Sequence, residues 1–157
     1  MEWKNLKEVL NQYGTDLEIL YREKAPKASH RLANFAKYQI NINGSNFEVG
    51  LNLEDYYKYV ENGRKPNSKF PPLDKIREWI KIKPVIPYAD SNGRIPTESQ
   101  LIYLIARKIA IEGIEPKPIF KQSVEEVNNR YFELIKTAIV QDIKNEYSVI
   151  ATEMFKQ

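Results

Sequence analysis

The chain has 157 residues, 42% of them apolar, and its 24 basic and 21 acidic side chains leave a net charge of +3. That is one domain's length with an ordinary core, and the small basic excess does not by itself imply nucleic acid. Cysteine is absent and His30 is the only histidine, which excludes disulfides, thiolate metal sites and a cysteine nucleophile and argues against a histidine dyad.

Residues 3 to 24 carry Trp3, Leu6, Leu10, Tyr13, Leu17 and Leu20 at spacings of three and four, one apolar stripe along a helix. The opening Met1-Glu2-Trp3-Lys4 therefore begins an amphipathic segment and not a signal peptide. Gly14 interrupts the stripe, and Thr15 with Glu18 matches a capping box, but the unbroken phase favours a single helix that stops before Pro26. Residues 27 to 37 read as a basic connector. Tyr38, Ile40 and Ile42, then Phe47, Val49 and Leu51, alternate with polar residues on either side of Asn43-Gly44, which predicts a β-hairpin turning on that pair.

A short helix is expected at about 54 to 62, with Tyr56, Tyr57, Tyr59 and Val60, closed by Gly63 in a left-handed conformation. Residues 64 to 72 form a basic, Pro-rich loop, and Pro72 opens a helix with Leu73, Ile76, Trp79 and Ile80 on its apolar face. Residues 84 to 96 are an irregular connection. Thr97 and Gln100 form a capping box for a helix at about 98 to 112. Its Leu101, Leu104, Ile105 and Ile109 share one face, and Ile102, Tyr103 and Ile111 widen it, so this helix is expected to be central and buried on most sides. Gly113 ends it, and Pro116-Lys117-Pro118-Ile119-Phe120 is expected to be extended. The last segment, about 121 to 155, is one long helix or two broken near residue 145. At about 1.5 Å per residue it exceeds the body of a small domain and protrudes. The fold expected is α+β: a small antiparallel sheet built on the hairpin, packed by several helices, with long N- and C-terminal helices in a single domain over 1–157.

No catalytic constellation emerges. Glu54 and Asp55 are neighbours and point to different sides of a helix. The Glu-x-Lys triplets at Glu2-Lys4 and Glu115-Lys117 follow no strand bearing an aspartate. There is no phosphate-cradling glycine loop, no nucleophile elbow and no zinc pattern, and His30 in its polar connector reads as a solvated side chain. No enzyme activity, cofactor or metal is expected. No apolar run approaches the roughly 18 residues of a bilayer span, so no membrane partner is expected either.

Charge is unevenly placed. Residues 58 to 83 hold eight basic side chains against three acidic ones, a net +5, so the rest of the chain sums to −2. Such a patch suits sequence-independent phosphate contact or an acidic neighbouring subunit. Ten tyrosines form the other excess. Tyrosine buries a ring while keeping a hydroxyl for a polar partner, which suits interfaces as well as cores.

The run Tyr56-Tyr57-Lys58-Tyr59-Val60-Glu61-Asn62-Gly63-Arg64-Lys65-Pro66 resembles the Tyr-x-x-Tyr-Val-Glu-x-Gly signature of tailed-phage neck and tail-completion (head–tail connector) proteins. A hairpin precedes the signature and a Pro-containing, aromatic-ended segment leads into the last helix, as in that family. Phe70-Pro71-Pro72 through Trp79-Ile80 and Ala106-Arg107-Lys108-Ile109-Ala110 resemble its larger members. The resemblance spans roughly residues 3 to 135. It implies a non-catalytic virion structural protein, assembled in the host cytoplasm as a homo-oligomeric ring of six or twelve copies around the DNA channel. Its partners would be portal, neck or tail proteins, with non-specific contact to packaged DNA. The long C-terminal helix and the connection at 84–96 depart from the pattern and leave adaptor, stopper and tail terminator open. Arg64, Lys65 and Lys69 are the candidates for DNA-lumen or neighbour contact, Tyr56, Tyr59 and Phe120 for interface or packing, and Gly63 for the turn. The alternative is a small DNA-binding protein using segment 58–83.

Overall fold

The apolar stripe of the first segment folds as one helix, α1, over Lys4–Lys24, burying Leu6, Leu10, Tyr13, Gly14, Leu17 and Tyr21. The structure is a computed structural model and describes residues 2–26, 31–44, 46–54, 57–82, 85–89 and 91–155. Further elements are α2 (Arg31–Phe35), β1 (Lys37–Asn43), β2 (Asn46–Asn52), α3 (Tyr57–Asn62), α4 (Leu73–Ile82), α5 (Glu98–Glu112) and α6 (Ile119–Met154). The architecture is α+β, with the long terminal helices packed together and an antiparallel hairpin beside them. The chain gathers into two compact units, one of residues 1–25, 33–54 and 119–157, the other of 26–32 and 55–118.

In the first unit α1 and α6 run antiparallel: Lys24 pairs with Glu126 at 2.8 Å, while Asn5 and Leu6 meet Asp142. Tyr13, Leu17, Val127 and Tyr131 form one buried cluster and Leu6, Leu10 and Ala138 another, with Val49 and Ile135 touching both. The inward side chains of the hairpin, Ile40, Phe47, Val49 and Leu51, close these clusters from one side. Among the described residues three of the tyrosines, Tyr13, Tyr21 and Tyr131, are thus buried. Tyr13 and Tyr131 meet edge to face at 5.6 Å, and their hydroxyls donate to Asn128 Oδ1 at 2.7 Å and Asp16 Oδ2 at 3.0 Å. Burial raises both hydroxyls above the ordinary tyrosine value, and for Tyr131 the Asp16 carboxylate adds to it.

Gly14 has a packing reason to be there. A Cβ at this position would lie 2.5 Å from Tyr38 Cδ2 and 2.9 Å from Cγ, so only glycine lets the ring lie against α1. The Thr15–Glu18 capping box does not form, because the helix continues through it. Thr15 Oγ1 instead donates to Asn11 O at 2.9 Å, and Glu18 accepts the Tyr38 N–H at 2.9 Å while pairing with Arg22 at 2.8 Å. The Arg22 guanidinium also donates to Ala36 O, fixing where β1 begins. α1 ends as expected: Ala25, before Pro26, is extended at ψ 144°.

Asp142 completes this unit. Trp3, at the start of α1, supplies no side-chain cap. The first N–H groups of a helix lack intrahelical partners. Asp142 reaches them from α6: Oδ1 accepts from Asn5 N at 3.0 Å and Asn5 Nδ2 at 2.6 Å, and Oδ2 accepts from Leu6 N at 2.9 Å.

Three local expectations shift, and the choice between one last helix and two is settled. Asn43 is the last residue of β1, paired with Asn46, so the turn begins at Gly44 (φ 59°) and Asn43 stays extended; Ser45 lies outside the described residues. The basic connector contains α2, and His30 lies outside the described residues. The segment before the last helix is extended only to Pro118; Ile119 and Phe120 are already helical, since proline is tolerated at a helix start. That helix is unbroken for 36 residues, because nothing near 145 removes a backbone hydrogen bond.

The second unit overturns one larger expectation. α5 is not buried on most sides. Ile102, Ala106 and Ala110 are buried, with Ile105 and Ile109 partly so, while Tyr103, Leu104 and Ile111 stay exposed. Ile102 and Ala106 cluster with Ile76 of α4. Small residues let two helices approach closely, so the alanines mark the packed face and the bulky residues are left outside. The capping box stands as expected, with Gln100 Oε1 accepting from Thr97 N at 2.9 Å and Thr97 Oγ1 accepting from Gln100 N at 3.4 Å.

Candidate functional site

The signature run ends α3 at Gly63, whose φ of 63° is the left-handed turn expected of it. The basic loop that follows is laid against the C-terminal end of α5. Arg64 and Ile114 exchange backbone hydrogen bonds at 2.8 Å in both directions, and Lys117 N donates to Val60 O at 2.8 Å. The last carbonyls of a helix have no intrahelical donors. Here Asn67 N and Ser68 N supply them, to Ile111 O at 3.2 Å and Ala110 O at 3.1 Å, with Asn67 itself at φ 55°. A cationic loop is also the favoured neighbour of that negative helix end.

Two glycines make this approach possible. A Cβ on Gly63 would lie 2.6 Å from Pro116 N, and one on Gly113 would lie 2.8 Å from Pro66 N. Gly63 was legible as a helix stop. Its second duty, admitting backbone from more than fifty residues away, leaves no local trace.

Within the loop the three candidate cations separate. Arg64 is half-buried and turns inward, with Nε donating to Ser68 Oγ at 2.9 Å and Nη2 to Lys69 O. Lys65 and Lys69 are exposed and make no ion pair among the described residues. On α4, Lys75 pairs with Glu78 at 3.2 Å, and Arg77 with Asp74 at 3.3 Å and Glu98 at 3.9 Å. The +5 segment is therefore partly neutralised where it stands. Among the described residues of the segment, Lys65, Lys69 and Lys81 are exposed and make no ion pair.

Tyr59 is 60% exposed on α3 and, with Lys58, Asn62 and Gly63, lines an open depression beside the loop. Tyr57 is half-buried, and Tyr56 lies outside the described residues. Phe120 is half-buried in the first turn of α6. The loop thus places Lys65, Lys69 and Tyr59 on one unit, while Phe120 belongs to the other. Sequence spacing alone missed the apolar surface nearby: Phe70 and Tyr103 stack in a tilted pair at 5.5 Å, both substantially exposed, with Leu73 and Leu104 exposed as well. The apolar face Leu73, Ile76, Trp79 and Ile80 gave no sign of it, because periodicity groups Leu73 with the packed residues although it is 40% exposed.

Chemically, this arrangement offers ammonium groups and exposed rings for contact with an anionic or aromatic surface. Among the described residues no three His, Asp or Glu side chains gather as a metal set, and no helix is long and apolar enough to cross a membrane. No protein-family model matches the chain, and comparison with curated proteins and with solved structures likewise gives no match.

Proposed function

We propose that the chain is a structural protein of a tailed-phage particle, acting at the head–tail junction as a subunit of a ring around the DNA channel and working by assembly and not by catalysis. The observation that carries this reading is the apolar surface each unit leaves outside. Phe70, Leu73, Tyr103, Leu104, Ile111 and Ile114 are exposed on one unit, and Ile143, Tyr147, Val149, Ile150, Met154 and Phe155 on the other. Large apolar side chains left outside in this number suit a surface on which a neighbour sits. A ring subunit needs two such faces that meet head to tail with a rotation that closes. The Tyr-Val-Glu-x-Gly run supports the assignment to the neck. This run and the loop after it form a pinned turn on which Tyr59, Lys65 and Lys69 are exposed, which suits contact with DNA or with an acidic neighbour.

Quantitative mass spectrometry of purified particles from a phage encoding this chain tests the proposal. The chain is expected in intact virions at about six or twelve copies, the ring sizes that the resemblance implies. Its absence from particles would overturn the reading. An isolated monomer that binds duplex DNA with steep salt dependence would instead favour the small DNA-binding alternative, which rests on Lys65 and Lys69 because Arg64 is occupied within the loop.

A further inference from the structure

α6 carries two apolar faces, one after the other. As far as Asp142 the buried positions are Ile119, Ser123, Val127, Tyr131, Ala138 and Asp142, of which Val127, Tyr131, Ala138 and Asp142 meet α1. Continued in phase, that stripe falls on Asn145 or Glu146, then Val149 and Glu153, and becomes largely polar. A different stripe begins as the first ends. Val140, Ile143, Tyr147, Ile150 and Met154 follow one another at spacings of three, four, three and four, each between 36% and 73% exposed. Traced backward with the same spacing, this second stripe is polar throughout, through Lys136, Glu133, Asn129 and Glu126. The apolar stripe thus begins beside the start of α1, where Asp142 meets Asn5 and Leu6, and runs on past it. At 100° per residue its centre lies roughly 120° around the helix from Asp142.

A three–four alternation held over five positions is the seam of a left-handed coiled coil, whose period of 3.5 calls for another helix. We infer that the distal part of α6, residues 140 to 154, pairs in parallel with the same segment of a second copy of this chain. This deepens the assembly reading given above and rests on it only for the role of the contact, not for its existence.

Area and charge both point to a second copy. Tyr147 and Phe155 are large rings of roughly 150–250 Å² each, so the exposed seam, with Phe155 at its end, offers on the order of 500 Å² per chain. Two copies then approach the roughly 1,200 Å² at which stable interfaces begin. Charge selects the direction. The positions flanking the seam are Ile139, Glu146 and Glu153 on one side and Lys144 and Ala151 on the other. A parallel pair sets Ile139 beside Lys144 and Glu146 beside Ala151, with no like charges opposed. An antiparallel pair sets glutamate against glutamate, an arrangement that like-charge repulsion disfavours. A parallel pair of this kind is a two-fold, isologous contact, and would join two copies in addition to any head-to-tail contact.

Sedimentation equilibrium of the full chain tests this. The wild type is expected to show a multiple of the monomer mass. Tyr147→Lys with Ile150→Lys is expected to weaken self-association by on the order of 100-fold, since two ammonium groups would have to be buried in the seam. Both positions are exposed, so the variant should keep its helical far-UV circular dichroism and unfold cooperatively, losing only the concentration-dependent part of the wild type's melting temperature. The chain has no cysteine. Met154→Cys therefore gives a single thiol that crosslinks to itself only if the helices are parallel and in register. A monomeric wild type, an oligomer indifferent to the lysine pair, or an oligomer whose Met154→Cys form does not crosslink would each overturn the inference. A monomeric isolated chain that is nonetheless present in virions would remove the seam and leave the virion reading intact.

Discussion

Asp142 is 2% exposed and yet charged, which needs an explanation at the level of its own atoms. Burial alone pushes its carboxyl upward. The backbone N–H groups of Leu6, Asn5 and Lys4 and the Asn5 side chain outweigh that push and hold it below the usual aspartate value. The native chain therefore keeps this group ionised to lower pH than the unfolded chain, where aspartate titrates near 3.9. Its contribution is complete above that pH and is lost as pH falls through the lower native value. Asp142→Asn replaces an acceptor oxygen by an NH₂ group facing helix N–H donors, and should cost about 1–3 kcal/mol at neutral pH. Urea unfolding of both proteins at neutral pH and again near pH 3 checks this. The difference between them should shrink in acid, and a difference that stayed constant would exclude the ionised carboxylate as its source.

At the scale of elements, the loop of residues 63 to 69 gives the sharpest contrast between side chains of one chemical type. Arg64 holds the loop together through Ser68 and the Lys69 carbonyl, whereas Lys65 and Lys69 project outward. Arg64→Ala should therefore lower stability by about 1–2 kcal/mol, the value of the hydrogen bonds it removes. Lys65→Ala and Lys69→Ala should stay within about 0.5 kcal/mol of wild type, as exposed charges do. Thermal unfolding of the three single variants decides it, and three equal effects would count against the inward arginine. In sequence the three cations look alike, because composition shows charge but not direction. The same limit explains what else was and was not legible. The Thr97–Gln100 capping box, the stop at Pro26, the Gly63 turn and the alternation of the hairpin are set by residues a few positions apart, and each was readable. The face of α5 was not, because Leu, Ile and Tyr surround it and the choice fell to Ala106 and Ala110, whose small size hydrophobicity does not register. Asp142 reaching α1 and the loop capping α5 join residues distant in the chain, and periodicity says which residues share a face without saying what that face meets.

For the molecule as a whole, cohesion is uneven, and exchange rates should show it. α1 and α6 up to Asp142 are held by two buried clusters drawing on α1, α6 and the hairpin, while α4 and α5 share the smaller cluster of Ile76, Ile102 and Ala106. Local opening is cheapest where few apolar contacts must break. Backbone amides of α5 should therefore exchange with solvent sooner than those of α1 and of residues 123–142. Residues 143–154 include no buried side chain and, in a lone chain, should be the fastest-exchanging part of α6. Concentration then separates intrinsic fraying from assembly. If the distal helix is an interface, raising the protein concentration should slow exchange at 143–154 while α5 and the α1-packed part of α6 keep their rates. The reason is that mass action stabilises only the segment that a second copy covers. Hydrogen exchange read by mass spectrometry at two concentrations an order of magnitude apart makes this measurement. Uniform slowing along the chain would place the contact elsewhere, and no slowing at all would mean that the apolar overhang is not covered by its own kind.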